Sequence, residues 1–257
     1  MSTSLDVLNQ AGSKKIRLMT HIVAGYPDYA KSLETARLMA KYADAIEIQI
    51  PFSDPMADGP TIMRANQTAL QAGISTEDCF RLAQTLIKEC TIPVLFMSYA
   101  NIPFHTGMEK FISRCAAIGI AGLIIPDIPF DSNNYGYFEI SVKHNVAPVY
   151  VVSPDTSADR LSKIVPFLRG MVYTTLKVGI TGAGTVINES GMQFLGTIRR
   201  YTPLPVAAGF GISSVPQILS LTGKADIAIV GSRLIDIYDQ SGLAGVKDFL
   251  DEYRKGT

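Results

Sequence analysis

AIEIQI, residues 45–50, runs directly into PFSDPMADGP, residues 51–60. The first segment sets Ile46, Ile48 and Ile50 against Glu47 and Gln49. That period of two belongs to a β-strand with unlike faces. A glutamate inside so apolar a run requires a reason. The segment after it carries three prolines and two aspartates, Asp54 and Asp58, which describe a stiff loop.

Similar short apolar runs recur along the chain. They are RLMTHIVAG (17–25), AIEIQI (45–50), PVLFMSY (93–99), GLIIPD (122–127), APVYVVS (147–153), MVYTTLK (171–177), PVAAGF (205–210) and IAIVGS (227–232), eight in all. Amphipathic segments lie between them, with Leu33, Ala36 and Ala40, or Leu161, Ile164, Val165 and Leu168, at helical spacing. STED at 75–78 reads as a capping box, and a further short helix is expected near 61–72. Strands alternating with helices predict a parallel sheet. Eight such units in 257 residues predict closure into a (β/α)8 TIM barrel, with the whole chain, 1–257, as one domain. An open doubly wound sheet usually carries a glycine fingerprint after its first strand, and AGYPDYA at 24–30 is not one. In a barrel the isoleucines of AIEIQI face the helices, while Glu47 and Gln49 face the interior near the end where such barrels keep their active sites.

Composition narrows the function. Lysine plus arginine equal aspartate plus glutamate at 23 each, so nothing points to nucleic acid or an acidic membrane surface. The first fifteen residues lack the apolar core of a signal peptide, and no apolar run approaches the ~20 residues of a membrane span. A cytoplasmic location is expected. Cys79 and Cys90 fall at helical spacing with Leu82, Ala83, Leu86 and Ile87, and Cys115 does so with Phe111 and Ile118, as buried thiols do. His21, His105 and His144 share no ligand spacing, so no metal is expected.

Burial inside a barrel would raise the pKa of Glu47 and suit it to moving protons; the plain alternative is a structural ion pair with a lysine or arginine on a neighbouring strand. Singly, Asp54 and Asp58 read as turn residues. Beside Glu47, one of them becomes a second carboxylate able to work from the other side of a substrate. GITGAGT (179–185), GFGIS (209–213) and VGS (230–232) end three consecutive strands with glycine, which lets backbone N–H groups approach an anion. The first of these loops has the small residues of a lid. Tyr173 reads as an ordinary core tyrosine, or as an interior residue if its strand points odd-numbered positions inward. Together these features predict a barrel enzyme that transfers protons on a small phosphorylated metabolite.

PFSDPMADGP, followed in order by GITG, GFGIS and VGS, resembles the α chain of tryptophan synthase, and the likeness runs from about Arg17 to Ile235. The resemblance implies a lyase that cleaves indole-3-glycerol phosphate by a retro-aldol reaction to indole and glyceraldehyde 3-phosphate. It implies that Glu47 is the acid–base glutamate and that Asp58 binds the indole N–H. It further implies that Tyr173, Ile124, Val151 and Phe210 line the substrate pocket and that Thr181 is a lid threonine. Gly182, Gly211, Gly231 and Ser232 match phosphate-binding positions. No cofactor is implied for this chain, pyridoxal phosphate belonging to a partner β chain in an α2β2 heterotetramer. Asp54, Asn101 and Asp127 match loops that face or communicate with that partner. Four positions depart from the family pattern. Gln49 replaces a usual glycine, Tyr26 an aspartate, His21 an apolar or aromatic residue, and Lys177 an arginine. Gln49 is placed to bond the Glu47 carboxylate, to orient it, or to narrow the pocket. One alternative is another phosphate-binding barrel isomerase or synthase of aromatic amino-acid or histidine synthesis; within it, the indole-3-glycerol phosphate synthase type is set aside because neither of the first two strand ends carries a lysine. A subunit that only activates its β chain is the reading the departures would fit, and retention of both acids weighs against it.

Overall fold

Each strand of the computed structural model is short and buried on both faces, because the chain covers one face with helices and fills the other with its own side chains. The structure describes residues 5, 8, 16–132, 134–176, 189–209 and 211–257. The strands are β1 (Arg17–Val23), β2 (Ala45–Gln49), β3 (Val94–Met97), β4 (Gly122–Ile124), β5 (Ala147–Val149), β6 (Val151–Val152), β7 (Val172–Thr175), β8 (Val206–Gly209) and β9 (Ile227–Val230). Every pairing is parallel, and the order runs β5-β4-β3-β2-β1-β9-β8-β7-β6.

The expected eight runs are all present, and the ninth strand is a division of the fifth. APVYVVS pairs with β4 through Ala147–Val149 and with β7 through Val151–Val152, with Tyr150 between. The chain itself therefore joins the two ends of the sheet, and the result is the predicted (β/α)8 barrel.

The helices are α1 (Tyr29–Ala40), α2 (Pro60–Gln71), α3 (Thr76–Glu89), α4 (Asn101–Thr106), α5 (Met108–Ile118), α6 (Tyr137–Lys143), α7 (Ala158–Ile164), α8 (Glu189–Arg199), α9 (Val215–Ser220) and α10 (Ser232–Gly256), the last broken at Gly242. The capping box at α3 is present: Asp78 N–H donates to the Ser75 hydroxyl, and the Asp78 carboxylate accepts from Ser75 N–H. Proline at the first position of α2 fixes where that helix starts. Cys79 and Cys115 are buried and Cys90 is half-buried; burial pushes the Cys79 thiol up to about 12.

Two apolar layers result. Ile46, Ile48 and Ile50 pack outward with Phe80, Phe96 and Phe111 from strands and helices. Met19, Leu95, Met97, Ile124, Val149, Tyr173 and Ile229 fill the interior, and Leu5 and Leu8 join that cluster at the N-terminal ends of the strands. The odd positions of β2 and β7 thus point inward, as alternation requires.

Candidate active site

At the opposite end, where strands end, the interior opens into a cavity of about 420 Å³. Its lining comes from every strand end around the mouth. β1 supplies His21, β2 and its loop supply Glu47 and Asp58, and Ile124, Val151 and Tyr173 follow on later strands. Gly211, Gly231 and Ser232 close the ring. Eight of the residues expected at the site therefore meet in one cavity. Thr181, Gly182 and Phe210, and with them Lys177, lie outside the described residues.

Glu47 is 3% exposed, and its partner is neither lysine nor arginine. The parallel register sets His21 of β1 opposite Glu47 of β2, and His21 Nδ1 lies 3.1 Å from Glu47 Oε1. The other carboxylate oxygen, Oε2, is buried with no hydrogen-bond partner among the described residues. Burial alone would lower the His21 pKa; the charge and hydrogen bond of Glu47 and, less strongly, the charge of Asp58 and the Gln49 side chain outweigh it and hold it above its ordinary value.

Asp58 is held differently. Its Oδ2 accepts from Gln49 Nε2 at 2.7 Å and from the Tyr99 hydroxyl at 3.1 Å. Burial raises its pKa, and these hydrogen bonds and the His21 charge oppose the rise without cancelling it. Gln49 thus bonds the loop aspartate rather than Glu47. Two residues along a strand advance about 6.6 Å, which carries Gln49 past Glu47 to the level of the loop. Asn66 of α2 completes the brace. Its Oδ1 accepts from Phe52 N–H at 3.0 Å and from Gln49 Nε2 at 3.3 Å, and its Nδ2 donates to the Ile62 carbonyl. Tyr99 also takes Ala57 N–H at 3.0 Å and stacks on Phe52.

Asn66, Tyr99 and the partnership of His21 were not foreseen. Asn66 shares the buried face of α2 with Ile62, Ala65 and Ala69, so a polar residue on an apolar face was the readable signal. The position of Tyr26 is also resolved. Its hydroxyl donates to Asp239 at 2.6 Å and accepts from Arg64 at 2.8 Å, joining the β1–α1 loop to α2 and α10 outside the cavity.

Glycine makes room here in two places. A Cβ on Gly209 would lie 3.0 Å from the Tyr173 hydroxyl, and one on Gly231 would lie 3.2 Å from His21 Cβ. Ser232 opens α10, so the first N–H groups of that helix lack intrahelical partners at the cavity rim. Asp54 is exposed in the loop beyond β2, Asn101 is exposed at the start of α4 beyond β3, and Asp127, beyond β4, accepts Ala100 N–H at 2.9 Å. Among the described residues no group of three or more metal-ligating side chains occurs, and no helix is long and apolar enough to cross a membrane.

A parallel (β/α)8 barrel with buried carboxylates in the cavity at its C-terminal mouth defines a barrel enzyme whose chemistry sits on its strand ends. The chain belongs to the tryptophan synthase alpha chain family, whose model matches residues 8–252. That family consists of lyases that cleave indole-3-glycerol phosphate to indole and glyceraldehyde 3-phosphate in tryptophan biosynthesis, and it uses no cofactor of its own. The tryptophan synthase alpha chain of Syntrophotalea carbinolica is 40% identical over 249 residues, covering 96% of this chain and 98% of the relative. Among solved structures, tryptophan synthase from Mycobacterium tuberculosis superposes with a TM-score of 0.91 at 28% identity, covering 100% of this chain and 98% of that one. The tryptophan synthase complex of Pyrococcus furiosus gives a TM-score of 0.84 at 27% identity, covering 93% and 98%.

Proposed function

We propose that this chain cleaves indole-3-glycerol phosphate with Glu47 and Asp58 as its working carboxylates. One observation carries the assignment: Glu47 Oε2 is buried, unpartnered among the described residues, and belongs to a side chain lining the same cavity as Asp58. A buried oxygen left without a partner is costly unless a ligand supplies one. Glu47 gives a proton to the ring carbon and then takes the proton of the adjacent side-chain hydroxyl as the carbon–carbon bond breaks. Both side-chain bonds of Asp58 fall on Oδ2, so Oδ1 is available to the indole N–H, where it stabilises the positive charge of the protonated ring.

The remaining cavity suits the two ends of such a substrate. Ile124 and Val151, with Tyr173, present an apolar wall to the indole. Gly211, Gly231 and Ser232 offer backbone N–H groups and a hydroxyl to the phosphate, with Gly182 as a fourth contributor. Phe210 and Thr181 lie outside the described residues; by the family pattern Phe210 belongs to the indole wall and Thr181 orients Asp58. The whole chain, 1–257, acts as one barrel domain in the cytoplasm.

The partner is a pyridoxal-phosphate β chain, in an α2β2 assembly. Asp54 and Asp127 sit on the loops after β2 and β4, and Asn101 opens α4 after β3; all share one end of the barrel. Met56, Phe104 and Tyr135 expose apolar surface on the same connections, at 86%, 56% and 43%, Phe104 from α4.

Indole release from indole-3-glycerol phosphate tests the reading directly. The chain should release indole slowly alone and faster with a tryptophan synthase β chain. Glu47→Gln should lower kcat by about 10²–10⁴-fold, the usual worth of a general acid–base group, and Asp58→Asn should also slow release. An undiminished rate in Glu47→Gln rejects the acid–base role. No release even with a matched β chain favours a subunit that binds and activates without catalysing.

A further inference from the structure

We propose that His21 is a positioning residue for Glu47, donating Nδ1–H to Oε1 so that Oε2 is presented to the substrate through both proton transfers. The inference deepens the acid–base reading above and rests on it. The geometry is local and specific. The β1–β2 register sets the two residues side by side, the Nδ1···Oε1 distance is 3.1 Å, and the residues are 5% and 3% exposed. With the acid proton on Oε2, Oε1 only accepts, as it does in the carboxylate, so the proton in this contact sits on Nδ1. The backbone of Gly231 lies against the ring, where a Cβ would come within 3.2 Å of His21 Cβ and 3.3 Å of Cγ. The imidazole is therefore packed between the Gly231 backbone and Glu47.

Each carboxylate in the cavity has its own holder. Gln49 holds Asp58, with a neutral amide. His21 holds Glu47, with a group whose charge can change. The difference matches the two tasks. Asp58 keeps one role throughout, while Glu47 alternates between acid and carboxylate. In the first step the Oε2–H bond breaks as the ring C–H bond forms, leaving a carboxylate whose Oε1 keeps the Nδ1–H bond. In the second, the hydroxyl proton moves to Oε2 as the carbon–carbon bond breaks, its electrons returning to the ring while the carbonyl forms. The net proton movement is from hydroxyl to carbon, and His21 keeps its proton. A charge-assisted bond on Oε1 favours the carboxylate between the two steps. Glu47 on β2, Asp58 in the β2–α2 loop, Tyr173 on β7 and Asp155 on the far rim share the active-site cavity with His21, and Tyr26 and Tyr238 share a smaller cavity behind it. Glu47 first, then Asp58 and the Gln49 side chain, keep the imidazole protonated to higher pH than burial alone would allow.

Two measurements test this. In ¹⁵N spectra of the intact chain, His21 should titrate above its ordinary range, and in Glu47→Gln its midpoint should fall by about one unit or more, since burial remains and the main opposing charge is gone. An unchanged midpoint overturns the pairing, and this readout needs neither turnover nor a His21 variant that folds. In the cleavage assay, His21→Phe should lower kcat about tenfold or more with KM little changed, as misplacement of a reacting group does, and should remove one ionisation from the kcat–pH profile. His21→Asn, which can place a neutral donor near the Nδ1 position, should recover much of kcat without restoring that ionisation. Unaltered kcat and profile in His21→Phe overturn the proposal. If wild type shows no cleavage while the His21 midpoint still depends on Glu47, the pairing stands and the catalytic assignment alone fails.

Discussion

Asp58 is a carboxylate that the fold holds against its own preference. It is 5% exposed, and burial raises its pKa above the ordinary 3.8 despite two hydrogen bonds. A carboxyl whose folded value is raised lends stability in its protonated form. That contribution is complete below about pH 3.8 and is lost as pH rises through the raised value. At pH 7 the charged side chain is thus a burden on the fold, kept where the reaction needs it. Asp58→Asn should therefore stabilise the chain at pH 7 by about 0.5–2 kcal/mol, the range of single stabilising substitutions, while slowing cleavage. Urea titrations at pH 7 and pH 4 check this: the gain should shrink at the lower pH, and a less stable Asn variant at pH 7 would reject the account. At this scale much of the site was legible. Strand alternation alone turned Glu47 and Gln49 inward. His21 was not recognised as the partner of Glu47, because the register between two parallel strands is set by tertiary packing and leaves no local mark. Gln49 was placed on the correct face, but only the advance along the strand decides that it reaches Asp58.

The elements were legible where a local device sets them, and less so where packing does. The capping box marks α3, whereas Pro60, read with the stiff loop, is in fact the first residue of α2. The division of APVYVVS at Tyr150 was not visible, because it arises from the run serving different neighbours on its two sides. The turn after β1 shows the same dependence. AGYP carries no glycine fingerprint, yet Gly25 has φ +79° and a Cβ there would lie 2.2 Å from Ile74 Cγ1 in the α2–α3 connection. No other residue fits both demands. Gly25→Ala should lower stability by about 2–4 kcal/mol, combining left-handed strain with overpacking. Gly73 offers a control, since it shares a positive φ of +80° and has nothing within 4 Å of an added Cβ. Gly73→Ala should lose only about 1 kcal/mol from backbone strain. Equal losses in the two variants, measured by chemical denaturation, would show that the contact with Ile74 contributes nothing.

Across the whole molecule, a division of labour follows from strand direction. All strands point the same way, so one end of the barrel collects the strand C-termini, the cavity and the loops after β2, β3 and β4. The other end is packed by Leu5 and Leu8 against the interior layer. Stability and chemistry are thereby separated, and loops at the mouth can meet a partner without disturbing the core. Phe104 on α4 and Tyr135 in the β4–α6 loop make an exposed aromatic pair, with ring centroids 4.8 Å apart. Neither lines the cavity. Aromatic side chains of this kind supply much of the affinity at protein interfaces. Phe104→Ala should therefore leave the rate of the isolated chain unchanged. In a titration with a tryptophan synthase β chain, the concentration giving half-maximal activation should rise about tenfold, the equivalent of roughly 1.4 kcal/mol at the interface. An unchanged half-maximal concentration would move the docking surface elsewhere on the mouth, whereas a lowered rate without β chain would mean that α4 supports the cavity itself.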